Sequence, residues 1–226
     1  MARILCIETA TTNCSVALFD GENLLAYAEQ NDRAFSHSEK LHVFIDEVLQ
    51  KAGLVPRNVE AVAVSKGPGS YTGLRIGVSA AKGWAYALGI PLVSVGTLEL
   101  MARVAAEQTA AQWLVPMIDA RRMEIYTAVY DRTMLEVEPV KAEIVNEESF
   151  SFLKASGETV CFFGDGMDKC RGLISAEDFT VLENIYPSAC FMAEPALAAL
   201  KAGRTEDVAY FEPYYLKDFV GTIPGK

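Results

Sequence analysis

Two carboxylates share one local setting. Glu8 closes the strand-like run Ile4 to Glu8, and Asp119 closes Leu114 to Asp119. Each is followed by a polar turn and a second strand-like run that ends in another carboxylate, Asp20 or Asp131. Carboxylates presented by two facing turns can hold magnesium or orient a water for phosphoryl transfer. Thr9 and Thr11 add hydroxyls beside Glu8. Gly67-Pro68-Gly69 ends the apolar run Val62 to Val64 and feeds a helical pattern, and a helix N-terminus offers free N–H groups and a favourable dipole to an anion. Glu8, Thr9, Thr11, Gly67, Gly69 and Asp119 therefore outline a residual nucleotide cleft. A plainer reading stands beside it and is favoured: the carboxylates hydrogen-bond their turn amides, and the glycines allow close packing. No Walker lysine follows the glycine turn, since Lys66 precedes it. Weak or residual nucleotide binding is the most that this set promises.

Other chemistries have less material. The two histidines, His37 and His42, are five apart, or about 140° around a helix axis, so they cannot share a metal and read as helix-surface residues. The five cysteines, Cys6, Cys14, Cys161, Cys170 and Cys190, form no Cys-x-x-Cys pair, which argues for reduced, buried thiols over a zinc ribbon or redox motif. Ser36, Ser65 and Ser70 lie in no Gly-x-Ser-x-Gly elbow. The sequence thus nominates no catalytic residue and no metal site.

The elements that must position these residues alternate in type. Ile4 to Glu8, Ser15 to Asp20 and Leu24 to Glu29 read as strands. Ser36 to Ala52 reads as an amphipathic helix, with Leu41, Phe44, Ile45, Val48, Leu49 and Ala52 on one face and a capping box of Ser36 with Glu39. Strand Val59 to Ser65 leads through the glycine turn into helix Thr72 to Gly89, capped by Ser70 or Thr72. In that helix Gly73, Gly77, Ala81, Ala85 and Gly89 recur every four residues, a seam where another backbone can approach closely. Strand Pro91 to Val95 and helix Thr97 to Gln108 complete an α/β half. A second half begins near Trp113 with Leu114 to Asp119 and Glu124 to Asp131, followed by strands Glu138 to Val145 and Thr159 to Phe163, a turn at Gly164-Asp165-Gly166 and a short helix Ala193 to Ala202. The aromatic tail Tyr210 to Leu216 is expected to pack back on the body. Ile7-Glu8 and Ala17 to Asp20 are matched by Ile118-Asp119 and Ala128 to Asp131, 111 positions later in each case. Two halves that each open on a strand-turn-strand with a cleft carboxylate fit the actin-like ATPase architecture. The expected division is residues 1–110 and 111–226.

Bulk properties set the remaining bounds. Of 226 residues, 51% are hydrophobic, enough for a substantial core, while no apolar run is long enough to span a bilayer. No signal-peptide pattern opens the chain, so a cytoplasmic location is expected. A net charge of −10 and a pI near 4.8 repel a phosphate backbone on average. Arg121-Arg122 is the one adjacent basic pair, so nucleic acid would be reached through a partner.

Several segments, in order and over nearly the whole chain, resemble the TsaB (YeaZ) family: Ile7-Glu8-Thr9-Ala10-Thr11 with Ser15 to Leu18, His37-Ser38-Glu39-Lys40-Leu41, Gly67 to Gly77 with Ala81-Lys82-Gly83, Asp119 to Arg122 with Glu124 to Tyr126, and Pro213-Tyr214-Tyr215-Leu216. The resemblance implies a duplicated actin-like, ribonuclease-H-like fold with two subdomains. It also implies a supporting role in the bacterial complex that makes threonylcarbamoyladenosine next to the tRNA anticodon. There the catalytic subunit is a paralogue, TsaD, joined by the ATPase TsaE, with TsaC supplying the threonylcarbamoyl-adenylate. The paralogue's His-x-x-x-His metal motif has no counterpart: its place reads Val95 to Met101 without a histidine. By the same resemblance the two helices meet a TsaD-like partner, or a second copy when the chain is alone, through Leu41, Phe44, Ile45, Val48, Tyr71, Gly73, Leu74, Ile76, Gly77, Val78, Ala81 and Trp84. The rival readings are an actin-like nucleotide-binding protein or ATPase with its own activity and, less favoured, a metal-dependent hydrolase.

Overall fold

The computed structural model describes residues 2–31, 37–172, 174 and 179–217. Three antiparallel strands open the chain: β1 (Arg3–Glu8), β2 (Asn13–Asp20) and β3 (Asn23–Asn31). Helix α1 (His37–Lys51), β4 (Ala61–Gly67), α2 (Tyr71–Leu88), β5 (Leu92–Gly96) and α3 (Thr97–Ala106) follow. The order is β3-β2-β1-β4-β5, with β4 and β5 parallel to β1. The second half repeats it with β6 (Trp113–Asp119), β7 (Glu124–Asp131), β8 (Glu136–Ile144), α4 (Ser151–Ser156), β9 (Val160–Phe163) and β10 (Phe179–Leu182). Its order is β8-β7-β6-β9-β10, again three antiparallel strands continued by two parallel ones. This is the duplicated actin-like, ribonuclease-H-like arrangement. Helix α5 (Ala193–Lys201) comes last.

Strand alternation sorts the first sheet's side chains into two cores. Leu5, Ile7, Val16 and Leu18 pack on one face against Leu41, Phe44, Ile45 and Val48 of α1 and Val78, Ala81 and Ala85 of α2. Ile4, Cys6, Ala17 and Phe19 pack on the other face against Leu100 of α3 and Met192, Ala193, Ala196 and Ala199. Helix α3 turns its other side, Leu98, Met101, Ala102 and Ala105, to Leu114, Ile118, Ala128 and Phe163 of the second sheet. One helix is thus shared by both lobes. The far face of the second sheet is covered by Phe150 and Leu153.

The sheets divide between α3 and β6, but the chain's last part does not follow them. A boundary at residue 110 assigns everything after it to the second lobe, whereas Ala189 to Ala199 packs on the first sheet. Glu206 then bridges to Leu92 of β5, and Tyr214 N–H donates to Lys66 O at 2.7 Å. The C-terminal segment therefore belongs by packing to the first lobe. The expected capping box lies outside the described residues because Ser36 is not among them. Ser70, not Thr72, caps α2, its Oγ accepting from Gly73 N–H at 3.3 Å. All five cysteines are free thiols, and four are buried.

Candidate functional site

Glu8 ends β1 with no exposure at all. Its Oε1 accepts from Ala10 N–H at 2.5 Å, while Oε2 has no hydrogen-bond partner among the described residues. Burial pushes its carboxyl up to about 7, against the opposing pull of the Ala10 amide. The neighbouring orphans are hydroxyls: Ser65 Oγ and Thr97 Oγ1 are buried and unpartnered. Ser65 stands near the carboxyl end of β4, the neighbour of β1, and Thr97 opens α3 just after β5, one strand further on.

What the glycines accommodate is the chain's own first turn. A Cβ on Gly69 would lie 2.3 Å from Ala10 O, one on Gly73 2.1 Å from Thr9 O, and one on Gly77 2.2 Å from Thr9 Oγ1. Thr9 Oγ1 donates to Gly73 O at 2.8 Å, and Ser70 N–H donates to Ala10 O at 2.7 Å. The β1–β2 turn thus sits on the N-terminus of α2, the close packing favoured for these glycines over a phosphate cradle. Gly67, at φ +111°, is closed over by Tyr214 O, 2.9 Å from its added Cβ. Thr11 faces another way: its carbonyl accepts from His37 Nε2 at 2.7 Å. His37 is 2% exposed, so it is a core residue that braces the turn and not the helix-surface residue expected. A first-turn histidine on the apolar side of α1 was the available signal.

Asp119 has a different setting. It is exposed, paired with Lys169 at 2.7 Å, and accepts from Arg121 N–H at 2.6 Å. Lys169 also donates to Arg122 O and Glu124 O, pinning the β6–β7 turn; nothing in the sequence singled it out. Asp165 accepts from Asp119 N–H at 2.9 Å, and burial pushes its own carboxyl up. No hydrogen bond or ion pair joins Glu8 to Asp119 among the described residues. Asp119 is held by Lys169 and the Arg121 amide, whereas Glu8 is anchored through Oε1 alone and keeps Oε2 without a partner among the described residues. The stretch Val95 to Met101 is core, with Thr97 and Met101 at most 1% exposed. Among the described residues no group of three His, Cys, Asp or Glu side chains is placed to hold a metal.

The expected interface set needs correction on the same ground. Leu41, Phe44, Ile45, Val48, Leu74, Val78 and Ala81 are buried in the chain's own core, and Gly73 and Gly77 press on Thr9. Fully burying each large apolar side chain stabilises by roughly 2 kcal/mol, so the fold claims that face first. Tyr71, Ile76 and Trp84 are half-buried. The outward side of the same helices carries Val43, 57% exposed, and Tyr86, 83% exposed, with Thr72, Arg75, Ser79 and Gly83 along α2. A Cβ on Gly83 would meet nothing within 4 Å.

Fold and turns together define the class: a duplicated actin-like chain whose β1–β2 turn packs on the N-terminus of α2. The comparisons narrow it. The family model described as TsaD, tRNA N6-adenosine threonylcarbamoyltransferase, matches residues 31–220. A relative from Escherichia coli K12, "tRNA threonylcarbamoyladenosine biosynthesis protein TsaB", is 34% identical over 99% of both chains. A relative of the same name from Bacillus subtilis is 31% identical over 71% of this chain and 70% of its own. Among solved structures, a Pseudomonas aeruginosa protein with similarity to peptidase YeaZ superposes with a TM-score of 0.86 at 24% identity, covering 96% of this chain and 100% of its own. The chain belongs to the TsaB (YeaZ) family, within the wider set that the transferase model describes.

Proposed function

We propose that this chain takes part in the biosynthesis of threonylcarbamoyladenosine in tRNA as a docking subunit, with no catalytic step of its own. Its partner is a TsaD-like catalytic paralogue, with a TsaE-like ATPase joining the pair and tRNA reached through the assembly. Alone, the chain pairs with a second copy through the same patch, so the two pairings compete. The observation that supports this reading is the outward side of α1 and α2. Val43 of α1 and Tyr86 of α2 are exposed, and on α2 a Cβ at Gly83 meets nothing within 4 Å among the described residues, so a partner backbone can approach there. The names of the relatives supply the pathway.

The inward seam cannot serve as this interface, because a charge at Ala81 would enter the core. Gly83→Arg tests the outward face instead. It adds bulk and charge at a position where a Cβ meets nothing within 4 Å among the described residues. The expected result is loss of binding to the paralogue with an unchanged melting curve; undiminished binding would remove the reading.

A further inference from the structure

A cavity of about 360 Å³ opens at the carboxyl ends of β4 and β5, lined by Lys66, Ser94, Gly96, Arg103, Arg204 and Glu206 among others. It holds neither Gly83 nor Tyr86, so it stands apart from the docking face. The crevice beyond the carboxyl ends of parallel strands is where open α/β sheets place small ligands.

Its charges are balanced in number but not in pairing. Lys66, Arg103 and Arg204 meet Glu99, Glu194 and Glu206. Arg103 is fully engaged: its guanidinium binds Glu99 at 3.0 Å and Glu194 at 2.7 Å. Among the described residues, neither Lys66 nor Arg204 has a side-chain hydrogen bond or ion pair. Glu206 is held in place: its backbone bridges to Leu92 and its Oε1 accepts from Ser94 Oγ at 2.5 Å, leaving Oε2 to accept from a ligand. Helix α3 begins at the wall, with Gly96 as an N-cap that lends no side-chain acceptor. Two cations free of protein partners among the described residues, one half-buried and one exposed, stand with a helix start and suit an anion; a fixed carboxylate beside them suits a cation.

We propose that this cavity binds the zwitterion of a small α-amino acid. The carboxylate meets Lys66 and Arg204, and the ammonium meets Glu206. Val95, Pro195, Ala198 and Ala199 form the apolar wall, which suits a short aliphatic side chain. Lys66 also ties the cavity to the tail, since its carbonyl accepts from Tyr214 N–H.

Isothermal titration of the full chain with glycine, L-alanine, L-serine and L-threonine tests this, with N-acetyl-L-alanine, L-alaninamide and inorganic phosphate as comparisons. Free alanine, serine or threonine is expected to bind, and the blocked forms at least about tenfold more weakly, since each loses one charge-assisted contact. Arg204→Gln and Glu206→Gln are each expected to weaken binding by about the same factor. Arg204 is exposed, so its variant reports on the ligand and not on folding. No heat with any amino acid would overturn the proposal. So would phosphate or N-acetyl-L-alanine binding as well as free alanine, because the cavity would then be a plain anion site.

Discussion

At the scale of single residues, the glycines of α2 separate what the fold needs from what a partner needs. Gly77 lies against Thr9 and Gly83 against nothing. Gly77→Ala forces a methyl into Thr9 and is expected to destabilise by about 1–3 kcal/mol. Gly83→Ala is expected to be neutral or to stabilise by up to about 1 kcal/mol through helix propensity. Urea unfolding of both variants checks this; equal effects would contradict the packing described. Glu8 supplies a pH test. Its carboxyl is pushed from an ordinary 4.5 to about 7 by burial, so between those values the folded state holds a proton that the unfolded state has lost. Stability should therefore fall as pH rises through this window, by at most about 3 kcal/mol. Glu8→Gln should flatten that part of the profile. An unchanged slope in urea midpoints from pH about 4.5 to about 7 would show that Glu8 is not the group responsible.

At the scale of elements, the C-terminal segment acts as a strap. Lys82 on α2 donates to Ala209 O at 3.2 Å and Phe211 O at 2.9 Å. Tyr215 packs on Tyr71 with ring centroids 5.1 Å apart, and Lys217 reaches Glu124 in the second lobe. Lys82→Met removes the two carbonyl contacts and keeps the aliphatic stem. Amide exchange at Tyr214 is expected to quicken by about tenfold or more, as a local opening made easier, while β1 and β4 amides stay protected; unchanged exchange would mean the strap is held elsewhere. Local patterns were easiest to read at this scale. The hairpins, α1 and the capped α2 follow from period and caps carried by contiguous residues. The seam of small residues was visible as spacing, but spacing says only that a backbone comes close and not whose. Here it is the Thr9–Ala10 turn. The return of Ala189 to Ala199 to the first sheet was not legible, because nothing in a short Ala-rich helix names the sheet it covers.

For the molecule as a whole, the duplication was readable from two hairpins 111 residues apart, and the two sheets repeat one order and one set of directions. The candidate cleft was less readable. Glu8 and Asp119 occupy equivalent strand ends, yet one is enclosed by its turn and the other is exposed and paired with Lys169. Sequence equivalence fixes position in the sheet, whereas burial depends on what covers each end. Helix α2 packs by the first; beside the second, among the described residues, lies a short 3-10 turn, Asp165–Met167, with Gly166 against Ile118. The proposed role is placed instead on the outward helix face, where Tyr86 is exposed. The most direct test is threonylcarbamoyladenosine formation on tRNA by the matching TsaC, TsaD and TsaE proteins, run without this chain, with it, and with Gly83→Arg. Product is expected when the native chain is present, and none with a folded Gly83→Arg variant or without the chain. Product without the chain, or undiminished product with the variant, would contradict the docking role.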